Sequence, residues 1–400
     1  MKFAFFLAAV SLARPAEIYD LLLRNGYLLD PASGRKGRMD VAVVGTRIAK
    51  IAPHLPASHA RLLIDASEYY VTPGLIDLHT HFDATGADLN LNPDHNALRF
   101  CVTTAVDAGS SGADNFEAFR RNSIDRAKIR LLAFLDISPS GMYKPELATG
   151  PTASHLARTI QVVNQNRDVI VGVKASSGLN SVKLAVQAAA GSGTIAMVDL
   201  HSPHGASYRD LLLHLLRPGD LFTHIYSRSV PLLDHHKKIA PHFWEARKRG
   251  ILFDVGHGSS GFWFRIAAPA IAQGFLPDTI SSDLDKQSVA LPQANMTHTL
   301  SKFLNLGLTL EQVIERATRN PAQAIRRPHL GTLREGGDAD IAILKLESGT
   351  FAFLDSGHAK LTGSQRLRCA VAIRQGKVLW DEDGLSLGDV SQAGPYSNFK

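Results

Sequence analysis

Six side chains able to bind a metal or move a proton stand at the ends of short apolar runs. They are His79 and His81 in PGLIDLHTHFD (73–83), Lys174 in VIVGVK, His201 in AMVDLH, His224 in LFTH and Asp283 in TISSD. Side chains alternate along a strand, so two histidines at i and i+2 point the same way and can hold one ion through neutral imidazoles. Each residue has an ordinary use when taken alone. A histidine can be exposed or hydrogen-bonded, Lys174 can make a buried salt bridge with Asp136 or Asp199, and Asp283 can cap the segment that follows it. Four His, one Lys and one Asp at five strand ends are hard to explain as separate accidents, and together they point to a metal centre.

Such a cluster needs a scaffold that brings many strand ends to one place. Between 74 and 283 the chain alternates apolar runs with helical segments, the rhythm of a parallel α/β fold. The runs at 74–81, 103–107, 129–136, 169–174, 195–201, 221–224, 251–255 and 279–283 are read as eight strands. Eight strand–helix units favour a closed (β/α)8 TIM-like barrel, which carries its active site at the C-terminal ends of the strands. The alternative, an open doubly wound sheet, lacks its Gly-rich fingerprint after a first strand. Thr309 and Gln312 form a capping-box pattern ahead of a late helical run, with Pro321 near that run's end.

Short strand-like runs at 20–25, 40–44 and 48–51 share their style with 340–344 and 369–379, so both termini are expected to build one small β-sandwich. The expected division is 1–16 a signal peptide, 17–72 and 329–385 the two parts of the β-sandwich, 73–328 the barrel, and 386–400 a tail.

A chain of 400 residues, 45% hydrophobic and 20% charged, has material for a large core and is not the composition of a disordered protein. The net charge of +6 is scattered through HHKK (235–238), RKR (247–249) and RR (326–327) with no nucleic-acid-binding module beside it, so solvated surface is the reading. Cys101 and Cys369 form no legible disulfide framework and are expected to be small buried residues. Lys2 followed by the apolar run 3–12, with Ser11 and Ala13 placed as a cleavage site, resembles a secretory signal, which makes periplasmic or secreted export the expectation and a cytoplasmic extension the alternative. No later stretch is long and apolar enough to span a bilayer.

Several segments in order resemble the amidohydrolase superfamily, in particular its dihydroorotase-like deacetylases. They include VTPGLIDLHTH, TTAVDAGSSGADNF (103–116), DVIVGVKAS (168–176), RPGDLFTH (217–224), GILFDVGHG (250–258), GFLPDTISSDL (274–284) and GTLREGGDADIAIL (331–344). The resemblance covers nearly everything after the first 17 residues. It implies two divalent metal ions, Zn2+ by preference, with His79, His81 and Asp283 on the more buried one and His201 and His224 on the other. Lys174 would bridge them as an N6-carboxylated lysine, and Asp283 would also be the general base. The implied reaction is hydrolysis of an amide by metal-activated water, specifically deacylation of a small N-acyl amino-acid-like substrate. A homo-oligomer is common in the family.

The resemblance is looser where specificity is set. Phe82, Asp83 and Ala84 stand where dihydroorotases carry an Arg for a substrate carboxylate, which points away from that activity. Asp285 stands where the deacetylases often have a His, and SPHG after His201 is also divergent. His257, Gly-flanked in DVGHGSSGF, and Arg228, beyond His224, are candidates to bind substrate, with a structural turn and an exposed side chain as their alternatives. Two other functions stay open. One is an esterase acting on acylated 2-hydroxy acids, since the same water attacks either carbonyl; the other is a catalytically silent binding or scaffold protein.

Overall fold

The structure is a computed structural model that describes residues 18–83, 91–142, 152–176, 178–200, 205–290 and 292–392. The expected signal peptide, residues 1–16, and His201 lie outside the described residues.

Among the described residues, fifteen strands form two sheets. β1 (Tyr19–Asp30), β2 (Arg35–Val44), β3 (Arg47–Ala52), β4 (Ala60–Asp65) and β5 (Tyr70–Pro73) come from the N-terminal part. β6 (Leu75–Thr80), β7 (Val102–Gly112), β8 (Arg130–Asp136), β9 (Ile170–Ala175), β10 (Ile195–Val198), β11 (Leu221–Phe222) and β12 (Leu252–Phe253) make the central run. β13 (Ile341–Leu354), β14 (Lys360–Arg374) and β15 (Lys377–Asp381) close the chain.

The central seven strands pair in parallel in sequence order, β6 to β12. β6, β7, β9 and β10 are buried along their whole length, as expected for a parallel sheet covered on both faces. The eighth segment, 279–283, forms only isolated parallel bridges, Asp254 with Thr279 and Thr80 with Leu284. It still joins both edges: Val255 N donates to Thr279 O at 3.2 Å on one side, and Asp283 N to His79 O at 2.7 Å on the other. The barrel therefore closes through a segment whose hydroxyls bind buried carboxylates, Thr279 and Ser281 on Asp254 and Ser282 on Asp77.

The second sheet runs β15-β14-β13-β5-β1-β2-β3, with β4 beside β1, so both termini do build one β domain. Leu21 and Leu23, Val41 and Val43, Ile341 and Ile343, and Val371 and Ile373 fill its own core at strand period. Ala342, Leu344, Leu367 and Ala372 point the other way into the core shared with the barrel. Arg130 on β8 ties the same junction, its guanidinium 2.7 Å from both Asp338 and Asp340.

One expectation is corrected here. Cys101 and Cys369 are buried, but they are joined as a disulfide across 268 residues of sequence, with Cα atoms 5.3 Å apart. The sheet-to-barrel packing brings the start of β7 against β14, and nothing local in the sequence marks that approach. The capping box at Thr309 and Gln312 forms as expected. The run behind it is two helices, Leu310–Glu315 and Arg319–Ala324, with Pro321 in the first turn of the second, where a missing N–H costs nothing.

Candidate metal centre

β6 delivers His79 and His81 to the mouth of the barrel, both nearly fully buried. Asp283, from the closing segment, places Oδ1 3.3 Å from His79 Nε2 and 3.1 Å from His81 Nε2. These three form a group close enough to hold one ion. Asp283 has φ +48° and His224 φ +58°, left-handed conformations that non-glycine residues adopt at a cost and that cluster at functional sites.

The hydrogen bonds behind the histidines set their tautomers. Thr223 Oγ1 donates to Asp254 Oδ2 at 2.8 Å, so its oxygen accepts from His79 Nδ1 at 3.1 Å. Ser110 Oγ likewise donates to Asp107 Oδ2 at 2.8 Å and accepts from His81 Nδ1 at 3.1 Å. Each ring then turns an Nε2 lone pair toward a carboxylate oxygen. Two electron pairs facing each other at this distance need a cation or proton between them, and hydroxyl and carboxylate partners behind the rings are the usual support of metal-binding imidazoles. Burial, reinforced by Lys174, holds His79 well below the ordinary imidazole range and so keeps it neutral. For His81 burial pulls the same way, but Asp283's hydrogen bond and charge outweigh it and raise the pKa. The donor set fits a divalent cation bound through neutral imidazole and carboxylate.

Lys174, at the end of β9, is fully buried, and its Nζ lies 3.3 Å from Asp199 Oδ2. Gly109 makes room for it: a Cβ there would sit 2.8 Å from Lys174 Cγ. The neighbouring Asp136 accepts from Ser138 N at 2.7 Å, and burial pushes its pKa up to about 7. His224 donates from Nδ1 to Gly256 O at 2.7 Å and turns Nε2 to Asp199 Oδ2 at 3.3 Å. The His79 and His224 rings are 5.1 Å apart, centroid to centroid, so the two halves of the cluster adjoin.

The structure thus brings together His79, His81, Lys174, His224 and Asp283. His257 is fully buried, stacked on Phe262 at 4.8 Å; its Nδ1 donates to Gly258 O at 2.9 Å, and its Nε2 faces Lys302 Nζ at 2.6 Å. Both ring nitrogens are therefore engaged within the protein. Arg228 is exposed, with its guanidinium 5.5 Å from the Trp263 ring. Sequence reasoning named Asp199 only as a salt-bridge partner for Lys174, a contact that forms, and missed Asp254, Ser110 and Thr223. Asp199 stands two residues before His201 in the sequence, a spacing that strand alternation alone cannot resolve. The other three are visible only once the strand ends meet.

Residues 99–379 match the profile of the amidohydrolase family. The chain is 32% identical over 331 residues to Deacetylase Atu3266 of Agrobacterium fabrum, covering 79% of this chain and 81% of that one. It is 26% identical over 371 residues to a deacetylase of Enterococcus faecalis, covering 90% and 99%. Among solved structures, an adenine deaminase superposes with a TM-score of 0.83 at 27% identity, covering 91% of this chain and all of that one. A dihydroorotase superposes at 0.79 and 28% identity, covering 90% and 97%.

Proposed function

The chain belongs to the amidohydrolase family and is a deacetylase-like hydrolase of carbon–nitrogen bonds, and from that premise we propose that it removes the acyl group from a small N-acyl amino-acid-like substrate. The observation that supports a hydrolytic centre most directly is the Asp283 carboxylate shared between the Nε2 atoms of His79 and His81. His79, His81 and Asp283 would hold one divalent ion, and His224 with an N6-carboxylated Lys174 would help hold a second, whose remaining protein ligand would come from the end of β10. Zn2+ is the ion proposed. When bound, the ions supply a water of lowered pKa and polarise the substrate carbonyl.

The rest of the chemistry falls to the chain's own side chains. Asp283 is about one-eighth exposed, in contrast to the buried histidines, so its carboxylate borders the space a substrate must enter. It would accept a proton from the attacking water and return it to the leaving nitrogen as the amide C–N bond breaks. Its backbone is fixed by the bond from Asp283 N to His79 O, which keeps the carboxylate facing the histidines. The ring of buried carboxylates, Asp77, Asp107 and Asp254, holds the loops in place. Burial pushes Asp77 up to about 7 despite hydrogen bonds from Ser282 and His79 N. We also propose that the protein is exported; a buried disulfide suits an oxidising compartment.

The test is a panel of N-acyl D- and L-amino acids beside acyl esters of 2-hydroxy acids, assayed with the purified protein in Zn2+ and bicarbonate. Release of a free amine, reduced about 10²–10⁴-fold in Asp283→Asn, is expected. Amine release undiminished in that variant would remove Asp283 as the base. Alcohol release alone would transfer the assignment to ester hydrolysis.

A further inference from the structure

We infer that Asp199 is a protein ligand of the second cation, in the place that strand-end spacing gives to His201; this rests on the two-metal reading above. Strand alternation read from the sequence alone would put residues 199 and 201 on one face, so the pattern offers both. The structure brings Asp199 into the cluster. Asp199 N donates to Ala175 O at 3.1 Å, which carries the β9–β10 ladder one step past Val198. That register sets its side chain, 3% exposed as a residue, beside Lys174. A single oxygen, Oδ2, is 3.3 Å from Lys174 Nζ and 3.3 Å from His224 Nε2.

The His224 side of this contact repeats the arrangement at the first position. Because Nδ1 gives its hydrogen to Gly256 O, Nε2 presents a lone pair to a carboxylate oxygen, just as His79 and His81 do to Asp283. Gly256 and Gly261 hold that ring in place, since a Cβ on either would come within 2.7 Å of His224 Nδ1. A carboxylate facing an imidazole lone pair on one side and a lysine nitrogen on the other has the geometry of a ligand shared by one cation. Without a cation the contact with Lys174 is a buried salt bridge.

A second position with Asp199, His224 and a carboxylated lysine has one imidazole and two oxygen donors. Oxygen donors favour Mn2+ relative to Zn2+ more than imidazoles do. The site should therefore tolerate Mn2+ at its second position better than a two-imidazole site.

The full chain, Asp199→Asn, Asp199→His and His201→Ala are to be loaded with Zn2+ or Mn2+ in bicarbonate, desalted and assayed for metal per chain, with melting temperature as the check on folding. The wild type and His201→Ala are expected to keep about two ions, and Asp199→Asn to bind the second at least about tenfold more weakly. Asp199→His, which survives as a test if the Asn variant does not fold, should shift the Mn2+-to-Zn2+ affinity ratio toward Zn2+ by at least about tenfold. Two tightly held ions in folded Asp199→Asn, or an unchanged ratio in Asp199→His, would overturn the inference. So would loss of the second ion in His201→Ala alone. A wild-type chain that binds no metal would instead refute the metal reading on which it rests.

Discussion

Gly258 sits against the carboxylate assigned as base, and a single methyl group there should disable the site. Its φ is +47°, and an ideal Cβ would lie 2.9 Å from Asp283 Cγ and nearer still to Oδ2. Ordinary carbon–carbon contact begins near about 3.5 Å, so the carboxylate must retreat by about 1 Å. The backbone cannot yield instead. Asp283 N is bonded to His79 O at 2.7 Å, Gly258 N to Ser282 O at 2.9 Å, and Ser282 N to Asp77 Oδ1 at 2.9 Å. The side chain must rotate away from the two histidines, and a misplacement of about 1 Å costs on the order of 10²-fold in rate. Alanine in a left-handed conformation costs about 1–2 kcal/mol by itself. Gly193→Ala separates the two effects: its φ is +67° and no atom lies within 4 Å of its Cβ. Both variants should lose similar stability in urea titrations, whereas only Gly258→Ala should lose turnover and bind its first ion more weakly. Wild-type turnover in Gly258→Ala would show that Asp283 need not be held where the structure places it.

Two further perturbations probe the scaffold. Replacing both Cys101 and Cys369 with Ala, or reducing the bond, should lower stability by about 2–5 kcal/mol, since the closed loop spans 268 residues; two titratable thiols in unreduced, denatured protein would contradict the cross-link. Lys302 reports on pH. Burial depresses its pKa to about 7, opposed in part by Asp355, while the unfolded chain keeps it near about 10.4. Between those values the unfolded state holds the extra proton, so stability rises with pH, and below about 7 the full cost of the buried charge is present. Lys302→Met should flatten that slope, most visibly as a relative stabilisation near pH 6; parallel curves for the two proteins would show that Lys302 stays charged in its site.

The sequence by itself determined much of this protein. Alternation along one strand is enough to put His79 and His81 on one side, and apolar runs ending in Lys174, His224 and Asp283 are enough to predict a barrel that gathers them. Matching strand styles near both ends announced a shared β domain, because a strand's pattern reports its burial wherever its partner lies. What the tertiary structure decided depends on register and closure between distant segments. Sequence alternation does not distinguish Asp199 from His201, and only the step from β10 onto Ala175 sets Asp199 against His224. Cys101 meets Cys369 because the C-terminal sheet packs on the barrel. Thr223 orients the His79 imidazole while held by Asp254 from a third strand end, and Ser110 orients His81 while held by Asp107 of its own strand. The sequence leaves His257 open between a substrate contact and a structural turn, and only the packing of the helix Met296–Asn305 brings Lys302 to its ring. Local pattern fixes which way a side chain faces; what it faces is settled only when the barrel closes.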